Sequence, residues 1–173
     1  LVEHEGRYVT CPSTSPENNF LYGGKRCAVS ETATMTMAMV RETLGNAASC
    51  CRILGTDSRF LEELEEALGR LPSYKIGARG ELLEWNEELE ESEPAHRHTS
   101  HLYPLYPGRE ISVEETPELA RACARTLELR GDESTGWALA WRISLWAHLR
   151  DGERAYRILK KQLRPIDGSS PLN

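Results

Sequence analysis

Apolar residues recur every three or four positions in five stretches of the chain, and no stretch sustains the two-residue alternation of a half-buried sheet. From Glu31 onward Met37, Val40, Leu44, Ala47, Ala48, Cys51 and Leu54 share one helical face. Ser30 is placed to cap that helix and Gly55 to end it. Asp57 caps a second helix with Phe60, Leu61, Leu64, Ala67 and Leu68 turned inward, closed by Gly69 and Pro72. Thr116-Pro117 opens a third, with proline in the first turn where its missing N–H is no loss. The fourth, over 134–149, carries Trp137, Leu139, Trp141, Ile143, Leu145, Trp146 and Leu149 around most of its circumference, which predicts burial on nearly all sides. Asp151-Gly152 starts a fifth, with Ala155, Tyr156, Ile158, Leu159 and Leu163 inward.

Two segments lack that rhythm. Residues 1–29 hold Pro12, Pro16, Gly23 and Gly24 and read as loop with short extended pieces. Residues 71–116 form a long irregular connection, a length that in a compact domain usually carries function. Helix pairs joined by short turns predict an all-α fold, either a bundle or a sector of an α/α toroid, and periodicity does not separate the two.

Composition narrows the function classes. A formal charge of -6 over 173 residues gives no basic footprint for nucleic acid. No apolar run reaches the length of a membrane span, and the acidic runs at 62–66 and 87–93 read as solvated surface. No signal peptide is visible; the start at Leu1 and the end after "IDGSSPLN" read as an excised piece of a longer chain, so the compartment stays open. The cysteines (Cys11, Cys27, Cys50, Cys51, Cys123) form no CxxC pair and read as reduced structural residues.

Four segments hold candidate chemistry. In "AHRHTSHLYPLYPG" (95–108), His96, His98 and His101 have the nitrogen ligands a zinc site needs, but no carboxylate follows within the motif. Loop bracing by imidazole hydrogen bonds is the plainer reading. In "TCPSTSPENNF" (10–20), Glu17 sits in a stiff loop that could hold a carboxyl partly desolvated, as a general acid requires. An exposed surface Glu is the simpler alternative. In "LLEWNEE" (82–88), Glu84 beside Trp85 could be a second acid or a brace for the histidine loop. In "RGDESTGWALAW" (130–141), Asp132 favours a helix N-terminus electrostatically and Trp137 could offer a ring to a sugar face, while Trp141 and Trp146 suit the core.

In their order along the chain, "CPSTSPENNF", "TMTMAMVRE", "IGARGELLEWNEE", "HRHTSHLYPLYPG" and "ARTLELRGDESTGWALAWRISLWAHLRDGERAYRIL" resemble the catalytic domain of the α-L-fucosidases of glycoside hydrolase family 95. The resemblance runs from about residue 8 to 164. It implies a sector of an (α/α)6 barrel, with residues 1–173 forming part of a single catalytic domain whose remainder lies elsewhere in the parent. It implies an inverting glycosidase without a cofactor or metal, usually acting on α-1,2-linked L-fucose in oligo- or polysaccharides, with relatives that take α-L-galactosides. Glu17 matches the family's general acid, and Arg97 and His98 its sugar-contacting pair; Glu84, His101 and Trp137 are supporting positions.

The chain departs from the family pattern in two places. Thr36 stands where the family usually has Asp. The family's base, an Asp in a Gln-Ile-Asp-x-Asn-Phe-Gly-like block, and its two upstream Asn residues have no match here; Asp167 in "PIDGSS" lacks that context. The segment alone is therefore expected to be inactive. A metal-dependent hydrolase using His96, His98 and His101, or a non-catalytic glycan-binding relative, are the alternatives.

Overall fold

The computed structural model describes residues 1–164, and Asp167 lies outside them. The fold is mostly helical, with short strands that the all-α expectation left out. Strands β1 (Val2–His4) and β2 (Arg7–Val9) form an antiparallel hairpin. Its turn, Glu5-Gly6, has both residues at positive φ, which matches the twist of the flanking strands. β3 (Ser13–Thr14) pairs with β6 (Val29–Ser30). β4 (Phe20–Tyr22) is the centre of a three-stranded sheet between β5 (Lys25–Cys27) and β7 (Glu90–Glu91). Strands of two or three residues are too short to show alternation, which is why residues 1–29 read as loop.

The pairing of β3 with β6 moves the first helix. Ser30 pairs with Ser13 in the ladder and caps nothing. Helix α1 instead spans Thr34–Leu54 after Ala33. Its first orphan amides are satisfied from other segments: Ala33 N–H donates to Ser13 Oγ at 3.0 Å, and Thr34 N–H to the Glu84 carbonyl at 3.0 Å. α2 (Ser58–Gly69) begins as the sequence predicts, with Asp57 Oδ1 accepting from Phe60 N–H, and it packs back on α1.

Helices α3 (Pro117–Arg130), α4 (Gly136–His148) and α5 (Gly152–Gln162) surround the main core. Cys123 and Leu127 of α3 meet Leu139, Leu145 and Trp146 of α4 and Ala155 and Ile158 of α5. The connection contributes Leu82, Leu102, Leu105 and Ile111 to the same cluster, so it is an integral part of the core. A smaller cluster joins Phe20, Ala33 and Trp85, with the Phe20 and Trp85 rings edge to face at 5.3 Å.

Two inward faces are narrower than predicted. On α4, Trp137, Ala140 and Ala147 are exposed, so the helix is not buried all round. On α5 only Ala155 and Ile158 of the expected set are buried; Tyr156, Leu159 and Leu163 are exposed. Among the described residues no helix is long and apolar enough to cross a membrane.

Candidate active site

The loop between β3 and β4 sets Glu17 apart from its neighbours. Ser15 and Asn18 are buried, while the Glu17 side chain is 59% exposed. The expected desolvation of Glu17 is thus not found: the bend that turns its neighbours inward turns Glu17 outward. Glu17 also has φ +54°, a left-handed conformation that costs a non-glycine residue roughly 1–2 kcal/mol. Its Oε2 accepts a hydrogen bond from Arg97 Nη2 and lies 3.0 Å from His98 Nε2. Residues 80 and 81 positions away in sequence thus converge on one carboxylate oxygen.

The three histidines of the connection divide. His98 lies against the Trp137 ring edge to face, with centroids 4.8 Å apart, and stacks on His96 at 5.1 Å. The His98 backbone N–H donates to His96 Nδ1 at 3.1 Å. His96 is buried, and burial lowers its pKa. His101 lies deep behind the loop. Burial, with the Arg130 guanidinium nearby, pushes its pKa down to about 3, so it is neutral near pH 7. Its Nδ1 is 3.4 Å from Glu84 Oε2, without hydrogen-bond alignment, and the contact is not an ion pair. Among the described residues no group of three His, Cys, Asp or Glu side chains could hold a metal.

Glu84 is the brace that its position beside Trp85 left open, and no second acid at the surface. Its side chain is 3% exposed. Oε1 accepts from Ser15 Oγ at 2.5 Å, and Oε2 accepts from Asn18 Nδ2 at 2.8 Å and Arg130 Nη2 at 2.6 Å. Arg130, at the end of α3, reaches on to Glu91 Oε2 at 2.6 Å and to the Glu93 and Pro94 carbonyls.

Arg142 of α4 is fully buried and clamps the next residues of the same loop. Its Nη1 donates to the Gly131 and Glu133 carbonyls, and its Nη2 to those of His96 and Arg97 at 3.4 and 3.5 Å. Burial, with Arg130 nearby, lowers its pKa to about 10, which leaves it charged at neutral pH. Neither arginine was singled out from sequence. The available signal was a single cation, Arg142, inside the apolar run "WALAWRISLW".

Trp137 is 49% exposed with its ring beside His98, so an open aromatic face adjoins the Glu17 cluster. Asp132, in the turn between α3 and α4, accepts from Arg154 of α5 at 3.2 Å, which ties that turn to α5. Thr36 lies in the first turn of α1, half-buried. A cavity of about 450 Å³ borders Glu84 on residues such as Arg79, Glu81, Trp85 and His101, and neither Glu17, Arg97 nor His98 lines it.

Comparison with known proteins identifies the family of the chain. The family model described as "Glycosyl hydrolase family 95 catalytic domain" matches residues 1–172. The chain is similar to "Alpha-L-fucosidase 2" of Arabidopsis thaliana, with 40% identity over 98% of the chain and 20% of that protein. It is 30% identical to "Probable alpha-fucosidase A" of Aspergillus oryzae, over its whole length and 25% of that protein. A protein of the same name from Aspergillus niger is 37% identical over 58% of the chain. The chain thus spans a fifth to a quarter of the length of the first two relatives.

Proposed function

Because the chain belongs to the glycosyl hydrolase family 95 catalytic domain family, we propose that the full-length protein is an α-L-fucosidase-like glycosidase, with Glu17 its general acid. It releases terminal α-L-fucosyl groups, α-1,2-linked, from oligo- or polysaccharides with inversion. This chain is a sector of an (α/α)6 barrel, and the remainder of the barrel supplies the base. The single observation behind the assignment is the meeting of Arg97 and His98 on Glu17 Oε2.

Inversion needs a proton for the leaving oxygen on one side of the sugar and an activated water on the other. The two carboxyl groups are roughly 6.5–9.5 Å apart to admit that water. Arg97 brings a rigid fork of donors, and His98 can donate or accept. An arriving sugar takes over these groups with its ring hydroxyls, while Trp137 packs along its apolar face. Freed of the guanidinium, Glu17 faces the glycosidic oxygen and delivers the proton that the leaving group takes. Orientation by the Arg97–His98 pair supplies much of the remaining barrier reduction.

Glu17→Gln in the full-length protein tests the reading. For fucosides with poor leaving groups kcat should fall by about 10²–10⁴-fold, a typical contribution of a positioned acid. Aryl fucosides, whose leaving group departs without a proton, should be largely spared. Undiminished turnover of both substrates would remove Glu17 as acid. A full-length wild-type protein that binds fucosylated glycans without cleaving them would make it a binding relative.

A further inference from the structure

Glu17 is held in a left-handed backbone conformation that no glycine relieves. Such a conformation persists only where neighbouring groups fix the chain on both sides. Ser15 and Asn18, two residues before it and one after, are both anchored, and on the same side chain. Glu84 Oε1 takes the Ser15 hydroxyl at 2.5 Å, and Glu84 Oε2 takes the Asn18 amide at 2.8 Å. Glu84 is held in turn by Arg130 at 2.6 Å, and Arg130 also holds the Glu93 and Pro94 carbonyls at the start of the histidine loop.

We propose that Glu84 is a positioning residue for the acid: by gripping Ser15 and Asn18 it fixes the strained backbone that presents Glu17, and through Arg130 it ties that backbone to the loop bearing Arg97 and His98. The proposal rests on the reading of Glu17 as acid. Glu84 donates no proton and meets no substrate, since its two oxygens are buried and already accept from Ser15, Asn18 and Arg130. Arg97 has a second, separate anchor in Arg142 through its carbonyl. Loosening Glu84 should therefore disturb proton delivery more than sugar binding.

The test uses the full-length protein with two fucosides, one whose leaving group is a sugar alkoxide and one whose leaving group is an acidic phenol. Glu84→Gln keeps the shape but puts a donor where Asn18 and Arg130 also donate. On the alkoxide substrate its kcat should fall by about 100-fold, the scale of a misplaced catalytic group. The phenol substrate should lose no more than about threefold, with KM little changed on both. Ser15→Ala removes one hydrogen bond and leaves the Glu84–Arg130 pair intact, so it should show the same selectivity at about tenfold. It decides the matter if Glu84→Gln does not fold.

Equal losses on both substrates, or none, in Ser15→Ala and in any folded Glu84→Gln would overturn the proposal and leave Glu84 a structural residue. Glu17→Gln run alongside separates the two failures. If it shows no leaving-group selectivity, the acid assignment falls; if it does while Glu84→Gln and Ser15→Ala do not, only the positioning role falls.

Discussion

Two carboxylates, one buried and one exposed, divide the candidate site into a frame and a face. Glu84, 3% exposed, accepts from Ser15, Asn18 and Arg130, and the carbonyls around it are tied to Arg130 and Arg142. Glu17, 59% exposed, has polar contacts with the end of Arg97, itself 44% exposed, and the ring of His98. Inside the frame a charge can exist only if compensated, because removing it from water is costly. On the face, water can replace each partner, so Glu17 and Arg97 are free to exchange one another for a ligand. Burial and exposure are thereby placed on different residues, joined by the short backbone of Ser15, Pro16 and Asn18.

The strongest way to break this division is to unbalance the frame. Arg130→Met leaves Glu84 and Glu91 without their shared cation in a buried setting. Removing one partner of a buried pair costs about 3–5 kcal/mol, because the other charge stays behind. The urea midpoint of the full-length protein should fall accordingly, and amides near 93–97 should lose protection from hydrogen exchange. A stability close to wild type would mean that water reaches Glu84 and that the frame is less closed than its geometry.

How much of this was legible in the sequence depended on the range over which each feature acts. Helices announce themselves through periodic neighbours, so α2 and α3 start where Asp57 and Thr116-Pro117 place them. The start of α1 shifted because Ser30 and Ser13 pair across the chain, a contact no local pattern carries. The face of α5 was misjudged because Ile158 and Leu159 are adjacent, and apolar identity does not tell which points inward. Glu17, Arg97 and His98 stood out through the blocks around them. Arg130 did not, since its partner Glu84 lies 46 residues away and a helix-terminal arginine is unremarkable in itself.

Acid offers a smaller perturbation of the frame. His101 faces Glu84 across 3.4 Å, with Arg130 and the Glu91 and Glu81 carboxylates also acting on it. Its folded pKa of about 3 lies below the ordinary 6.5, so below pH 6.5 the unfolded chain takes up the proton first. Stability from this group is complete above that pH and declines as pH falls towards 3. The decline is about 1.4 kcal/mol per pH unit within that window. His101→Gln should therefore lose about 2 kcal/mol less than wild type between about pH 7 and about pH 5. Parallel losses in the two proteins would show that His101 protonates freely in the folded state.

The least destabilising change should be the one that matters most to a sugar. Arg97→Gln removes the guanidinium from Glu17 and leaves its backbone carbonyl on Arg142. Half-exposed ion pairs are worth only about 0–1 kcal/mol, because water and salt stand in for either partner. The urea midpoint of the full-length protein should hardly move, and added salt should change it as little in the variant as in wild type. KM for fucosides should nonetheless rise by about tenfold or more, since a site built to hydrogen-bond hydroxyls binds poorly once its donors are gone. If Arg97→Gln instead destabilised the protein as much as Arg130→Met, Arg97 would belong to the frame, and the Glu17–Arg97 contact would be a structural tie in place of an exchangeable one.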